Sequence, residues 1–203
     1  MSLFKGNLLA IIGFIIISII LFVAIFAPLL SPFDPNYIDI NSILLPPSYD
    51  HFMGTDGLGR DVLSRMLYGA RISLFVGFVA VGIATLIGIF LGSIAGFYGG
   101  WLDSIIMRLV DIMLSIPSFF LILAVIAFLT PSIWNIMIVI GLTSWMGVTR
   151  LVRAEFLSLR QRDFVLASIV MGSSNKKVIT KHLLPNSLTP IIVSSVLGIA
   201  SAV

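Results

Sequence analysis

Two histidines, nine carboxylates and no cysteine set the chemistry this chain can host. Without cysteine there is no thiolate zinc site, disulfide framework or redox pair. A histidine zinc site or a Ser-His-Asp relay needs side chains that can meet. His51 lies in a stretch rich in proline and aspartate, His182 in a basic one, and the span count below puts them on opposite sides of a membrane. Gly54-Thr55-Asp56-Gly57-Leu58-Gly59 has the glycine density of a phosphate or calcium loop. It lacks the preceding strand and the acidic ligand series of those sites, so it reads as a turn. No Gly-Lys pair occurs, which excludes nucleotide binding through a P-loop. Arg108 and Asp111, three residues apart in an apolar run, form a candidate intramembrane charge pair on one helix face. Arg108 is close enough to the span's end to snorkel, which favours a structural pair. We expect no catalytic, metal-binding or cofactor-binding residue in this chain.

The elements that carry these residues are set by the bilayer. Hydrophobic residues make up 59% and charged residues 10%, with mean hydropathy +1.15, against about 25% charged residues in soluble domains. Leu8 to Ala27 is 20 residues without a charge, about 30 Å as a helix. It exceeds a signal peptide's apolar core and has no small-x-small site before Pro28, so it reads as a retained signal anchor behind Lys5. Prolines 32, 35, 46 and 47 and aspartates 34, 39, 50, 56 and 61 then keep the chain irregular and in water. Asp61 can cap a short helix starting at Val62.

Further spans are expected at Ile72–Tyr98, Ile105–Leu129 and Ile133–Val148. Gly88, Gly92 and Gly96 in the second let another helix approach closely, a pattern best read as packing within one subunit. Pro117 falls inside the third. Leu188 to Val203 begins a fifth span of 16 residues, about 24 Å and short of a full crossing. The expected fold is therefore an all-α polytopic membrane helix bundle with five spans visible, the fifth incomplete. Residues 1–71 hold the anchor and an extracytoplasmic segment, and residues 72–203 the transmembrane core. Between them Arg150, Arg153, Arg160, Arg162, Lys176, Lys177 and Lys181 make the loop 150–186 the most basic. By the positive-inside rule that loop and the N-terminus are cytoplasmic and 31–71 lies outside.

Within the loop, Phe164, Ala167, Ser168 and Met171 fall at i, i+3, i+4 and i+7, one face of a helix starting near Asp163. Gly172 can end that helix at positive φ. Ser173 or Ser174 can cap a second, in which Lys177 and Lys181 share a face, and Leu184-Pro185 should stop it. Composition leaves two uses open: a handle for a partner protein, or an amphipathic helix lying on anionic lipid.

The spacing of Ala167, Gly172, His182 and Leu184-Pro185 resembles the EAA loop of ABC importer permeases: Glu-Ala-Ala, three residues, Gly, nine, Ile, one, Leu-Pro. Leu166, Ser168 and His182 depart from that pattern, and Leu166 removes the ionic contact of the aligned glutamate. The lead-in Asp163-Phe164-Val165 and the histidine before Leu-Pro are similar to the dipeptide/oligopeptide/nickel branch. So are the run from His51 to Arg65, Gly69-Ala70-Arg71-Ile72-Ser73-Leu74, Ala95 to Gly100, Met107-Arg108 with Asp111, and Arg150-Leu151-Val152-Arg153.

The resemblance implies a non-catalytic permease subunit of an ATP-driven importer in a prokaryotic inner membrane, for short peptides, with a sixth span in the full-length protein. It implies a second homologous permease, two cytoplasmic ATPases that hold the ATP and magnesium, and an extracytoplasmic binding protein. Asp163, Phe164, Ala167, Ser168, Gly172, His182, Leu184 and Pro185 would form the ATPase-coupling loop. A rival reading, an ion-coupled secondary transporter or channel, calls for an inverted repeat and mid-bilayer ionisable residues. No repeat is visible. A membrane scaffold with a lipid-binding basic loop is a further rival. Dipeptide, oligopeptide, glutathione and nickel carriers share these motifs.

Overall fold

A computed structural model describes residues 8–202; Lys5 and Val203, used above, lie outside them. The chain divides into units 1–75 and 76–203. Among the described residues every long element is helical.

In the first unit, α1 (Leu8–Leu30) buries only Ala24 and Ala27. A helix so apolar and so uncovered suits a lipid environment. The segment after it is irregular apart from one 3-10 turn, Ile40–Ser42, capped by Asp39 through the amide of Asn41. Gly54 to Arg60 closes on its own aspartate: the Asp56 carboxylate accepts from the amides of Leu58 (2.8 Å) and Arg60 (3.1 Å) and from Arg60 Nε (2.8 Å). Gly59 has φ +73°, and a Cβ there would lie 1.8 Å from the Asp39 carbonyl oxygen. The loop is an aspartate-centred turn.

Asp61 caps α2 (Val62–Tyr98), its Oδ2 accepting from the Ser64 amide and hydroxyl, both at 2.7 Å. The helix is not short. It runs on through the second span for 37 residues, about 55 Å and well beyond one hydrocarbon core.

The second unit is built around α6 (Trp145–Arg160), the continuation of α5 (Ile133–Thr143) past a break at Ser144. The glycine stripe on α2 meets α6. A Cβ at Gly88 would lie 2.5 Å from Val148 Cβ, at Gly92 2.7 Å from the Thr149 carbonyl oxygen, and at Gly96 2.6 Å from Phe156 Cβ. The seam is internal to this chain. On another side, Ala84, Val110, Trp145 and Met146 form a cluster joining α2, α3 (Gly100–Ser115) and α6.

The structure revises three expectations. The third span is not one helix: α3 and α4 (Ser118–Ala127) meet at 82°. Pro117 removes a helix donor and pushes Ile116 to φ −95°, ψ 121°, an extended residue that α-helix cannot contain. The fourth span does not end at Val148: the buried residues Val152 and Phe156 continue its helix to Arg160, and the helix–glycine–helix expected within 150–186 begins only after it, at Asp163. Finally, Leu184-Pro185 does not stop the chain. A π turn at Ile179–Leu183 joins α8 (Asn175–Val178) to α9 (Leu184–Ala202). Leu184 bonds back to the Ile179 carbonyl, and this widened turn accommodates the proline that follows.

The helix from Asn175 to Ala202 thus has 28 residues and is long enough to cross a bilayer. Among the described residues four helices meet that test of length and apolarity, and a fifth span is added if α3 and α4 make one broken crossing. The chain is an all-α polytopic membrane bundle.

Candidate functional site

The predicted site residues converge on a helix–turn–helix set on α6. α7 (Asp163–Val170) starts three residues after α6 ends, with Asp163 in its first turn, where a carboxylate opposes the helix dipole favourably. Its end is a Schellman motif: the Gly172 amide bonds to the Ile169 carbonyl (2.9 Å) and the Ser173 amide to the Ser168 carbonyl (3.1 Å). This closure requires the left-handed backbone of Gly172, whose φ is +80°. Ser174 occupies the cap position of α8 without a side-chain bond.

One face of this device is rooted. Val165 of α7, Val178 of α8 and Leu183 of the π turn are each fully buried, packed with Val152 and Phe156 of α6, Phe97 of α2 and Ile191 of α9. The other face is open. Val170 is 87% and Met171 78% exposed, and Phe164, Leu166 and Ile169 are also exposed.

Ser168 lies on the rooted side, 3% exposed, and not beside Phe164, Ala167 and Met171 as the spacing suggested. The exposed apolar surface instead includes Leu166, Ile169 and Val170. The turn brings Phe164 and His182 near one another, ring centroids 6.4 Å apart. His182 and Leu184 are half-buried, while Ala167 and Pro185 are exposed. Arg162, Lys176, Lys177 and Lys181, on the segments that flank α7 and its turn, are all exposed and positively charged.

Arg108 and Asp111 do not pair. The Asp111 carboxylate instead meets Arg150 of α6 at 2.5 Å, and Arg108 has no ion-pair partner among the described residues. Arg153, one turn further along α6, grips Asp103 at the start of α3 with Nε and Nη2. Arg160 donates to the Phe97 carbonyl (2.9 Å) and stands 5.9 Å over the Phe97 ring. These three arginines fasten the helix that carries the site to α2 and α3. The sequence marks Arg150 and Arg153 as part of a basic stretch without giving them partners. Their i, i+3 spacing, set against two aspartates eight residues apart, was the available signal.

The family model for binding-protein-dependent transport system inner membrane components matches residues 88–203, and that for the N-terminal transmembrane domain of oligopeptide transport permease C matches residues 2–47. The dipeptide transport system permease protein DppC of Alkalihalophilus pseudofirmus is 46% identical, with 98% of this chain and 66% of that protein covered. The probable D,D-dipeptide transport system permease protein DdpC of Escherichia coli is 45% identical (98% and 67% covered). The oligopeptide transport system permease protein OppC of Bacillus subtilis is 39% identical (98% and 66%). The chain thus spans about two thirds of the length of these curated relatives. Among solved structures, an amino acid ABC transporter crystallised with histidines matches at TM-score 0.50 and 15% identity, over 70% of this chain and 73% of that one, a likeness of fold.

Proposed function

This chain belongs to the binding-protein-dependent transport system inner membrane components, and from that premise we propose that it lines one half of an import pathway for short peptides. Its helix–turn–helix at 163–185 receives the stroke of a cytoplasmic ATPase. The observation that carries this reading is the split character of α7. Val165 packs into the cluster shared with α6 and α9 and Ser168 is buried, while Val170 and Met171 stand exposed for a partner's pocket.

Burying Val170 and Met171 in such a pocket contributes about 1.5–3 kcal/mol for each side chain. The surrounding cations add less, since exposed charge pairs are worth roughly 0–1 kcal/mol. Coupling then proceeds mechanically. A displaced α7 drags Val165 within a core shared by α6, α8 and α9, and close-packed interiors pass on such displacements without absorbing them.

In this proposal the chain hydrolyses nothing. ATP and magnesium sit on two ATPase subunits, a second homologous permease completes the pathway, and an extracytoplasmic binding protein delivers the peptide. The N-terminus and residues 161–174 face the cytoplasm, consistent with the concentration of lysine and arginine around them. Peptide is the substrate class because the relatives above bear dipeptide and oligopeptide names at 39–46% identity.

The chain has no native cysteine, so Met171→Cys gives a single reporter. A membrane-impermeant maleimide should label it in inside-out vesicles and not in intact cells, and the ATPase subunits should protect it. Labelling from outside would end the coupling reading.

A further inference from the structure

α2 and the helix starting at Asn175 run antiparallel. Gly198 faces Val81 (3.5 Å from its ideal Cβ position), Thr85 Oγ1 lies 2.9 Å from Ser195 Oγ, and Ile191 shares a cluster with Ile89. Continuing this register carries Lys176 toward the Tyr98 end of α2. Between the two helices lies a groove of about 380 Å3, walled by Leu86, Ile89, Phe90, Ile94 and Ile179 and bordered by Tyr98, Lys176 and Thr180.

Two features of the groove are unexplained by the fold. Ser93 lines it, 8% exposed, and its hydroxyl oxygen has neither accessible surface nor a hydrogen-bond partner. Such a group costs free energy until an acceptor or donor arrives. Among the described residues Lys176 is the one charged side chain that lines the groove. The Thr180 hydroxyl is already committed to the Lys176 carbonyl at 2.8 Å.

We propose that this groove binds one anionic glycerophospholipid, with its phosphate on Lys176 and one acyl chain laid along Ile94, Phe90 and Leu86. The dimensions agree: Leu86 to Tyr98 is about 18 Å of helix, close to the roughly 15 Å of one leaflet's hydrocarbon. The polarity agrees too, with a cation and a tyrosine at one end and aliphatic side chains at the other, as at a membrane interface. The occupant is a lipid because the apolar wall and the charge lie in sequence along a membrane-crossing helix, as they do in a phospholipid. This inference rests on the membrane fold and is independent of ATPase coupling.

The test is native mass spectrometry of the delipidated chain in detergent, titrated with phosphatidylglycerol and with phosphatidylcholine of identical acyl chains. The wild type should hold phosphatidylglycerol at least fivefold more tightly. Lys176→Gln should erase that preference, and Lys177→Gln, one residue along and outside the groove, should keep it. Equal affinity for the two lipids, or equal loss in both variants, overturns the site. In cells, Phe90→p-benzoylphenylalanine should photocrosslink to phospholipid, read as the adduct mass. A crosslink to polypeptide, whether a second copy or another protein, overturns it as well.

Discussion

Arg153 on α6 closes on Asp103 on α3 with two parallel hydrogen bonds, Nε to Oδ1 at 2.5 Å and Nη2 to Oδ2 at 2.6 Å. Both side chains are mostly covered, 32% and 17% exposed. A fork of this kind fixes orientation as well as distance, which a lysine cannot do. A double-mutant cycle of Arg153→Gln and Asp103→Asn, read from denaturant unfolding in detergent, should return a coupling of about 1–2 kcal/mol. Arg153→Lys should recover less than half of it. A coupling near zero would mean that apolar packing alone holds α3 against α6.

The glycine seam makes a sharper prediction. Gly92→Ala and Gly96→Ala place a methyl group against backbone carbonyl oxygens at 2.7 Å and 2.9 Å, which cannot rotate away. Each should destabilise the bundle by about 1–3 kcal/mol. Gly82→Ala, on the same helix with nothing within 4 Å of the new methyl, should stabilise by about 0.5–1 kcal/mol. Thermal unfolding of the three variants in one detergent decides the matter.

At Gly172 space is not the constraint, since nothing lies within 4 Å of a built Cβ. The constraint is the positive φ, which costs an L-residue about 1–2 kcal/mol. Gly172→Val should therefore leave insertion and abundance intact while loosening the α7–α8 turn. Under the proposed coupling, substrate-stimulated ATP hydrolysis by the reconstituted complex should fall at least fivefold. Lys177→Glu, a change of exposed charge, should alter ATPase binding by less than about 1 kcal/mol.

The segment that leads into α2 carries its own pH dependence. Burial raises the pKa of Asp61, but hydrogen bonds from the Ser64 hydroxyl and amide and from His51 outweigh it and hold the carboxyl below its ordinary value. Its stabilising contribution is thus fully present above the unfolded carboxylate pKa of about 3.9 and disappears as pH falls through the lower folded value. Hydrogen exchange at the Ser64 amide should accelerate, relative to its intrinsic rate, as pH drops below about 4. Asp61→Ala should abolish that change and cost about 1 kcal/mol of helix capping at neutral pH.

These sites differ in how far the sequence announced them. Gly88, Gly92 and Gly96 were legible because a four-residue period of glycines has one common use in a membrane helix. Gly172 was legible because few residues accept the backbone that ends α7. Asp61 is legible as a cap, whereas the 37-residue length of the helix it starts is not, because Arg65 and Arg71 break the apolar run that would announce it.

Where two elements compete for one residue, the local pattern failed. Asp111 had Arg108 one turn away and took Arg150 from across the bundle, a choice made by tertiary placement. Pro117 and Pro185 look alike in sequence, yet one bends the chain by 82° and the other is absorbed in a π turn. Neighbouring packing decides between those outcomes: Val178, Leu183 and Ser187 are all fully buried on either side of Pro185, whereas α4 beyond Pro117 buries nothing. Ser168 turned inward for a similar reason, following Val165 and not Phe164.

The uninterrupted run from Asn175 to Ala202 has a geometric corollary. Its 28 residues make a strut of about 42 Å. Pivoting such a strut by ten degrees about its Gly172 end sweeps the opposite tip through roughly 7 Å, comparable to the spacing of neighbouring helices. Under the proposed coupling, a small rotation at the turn would be amplified into a displacement of molecular width at the far tip, with Pro185 in the π turn and Pro190 further along as the places where the helix can bend.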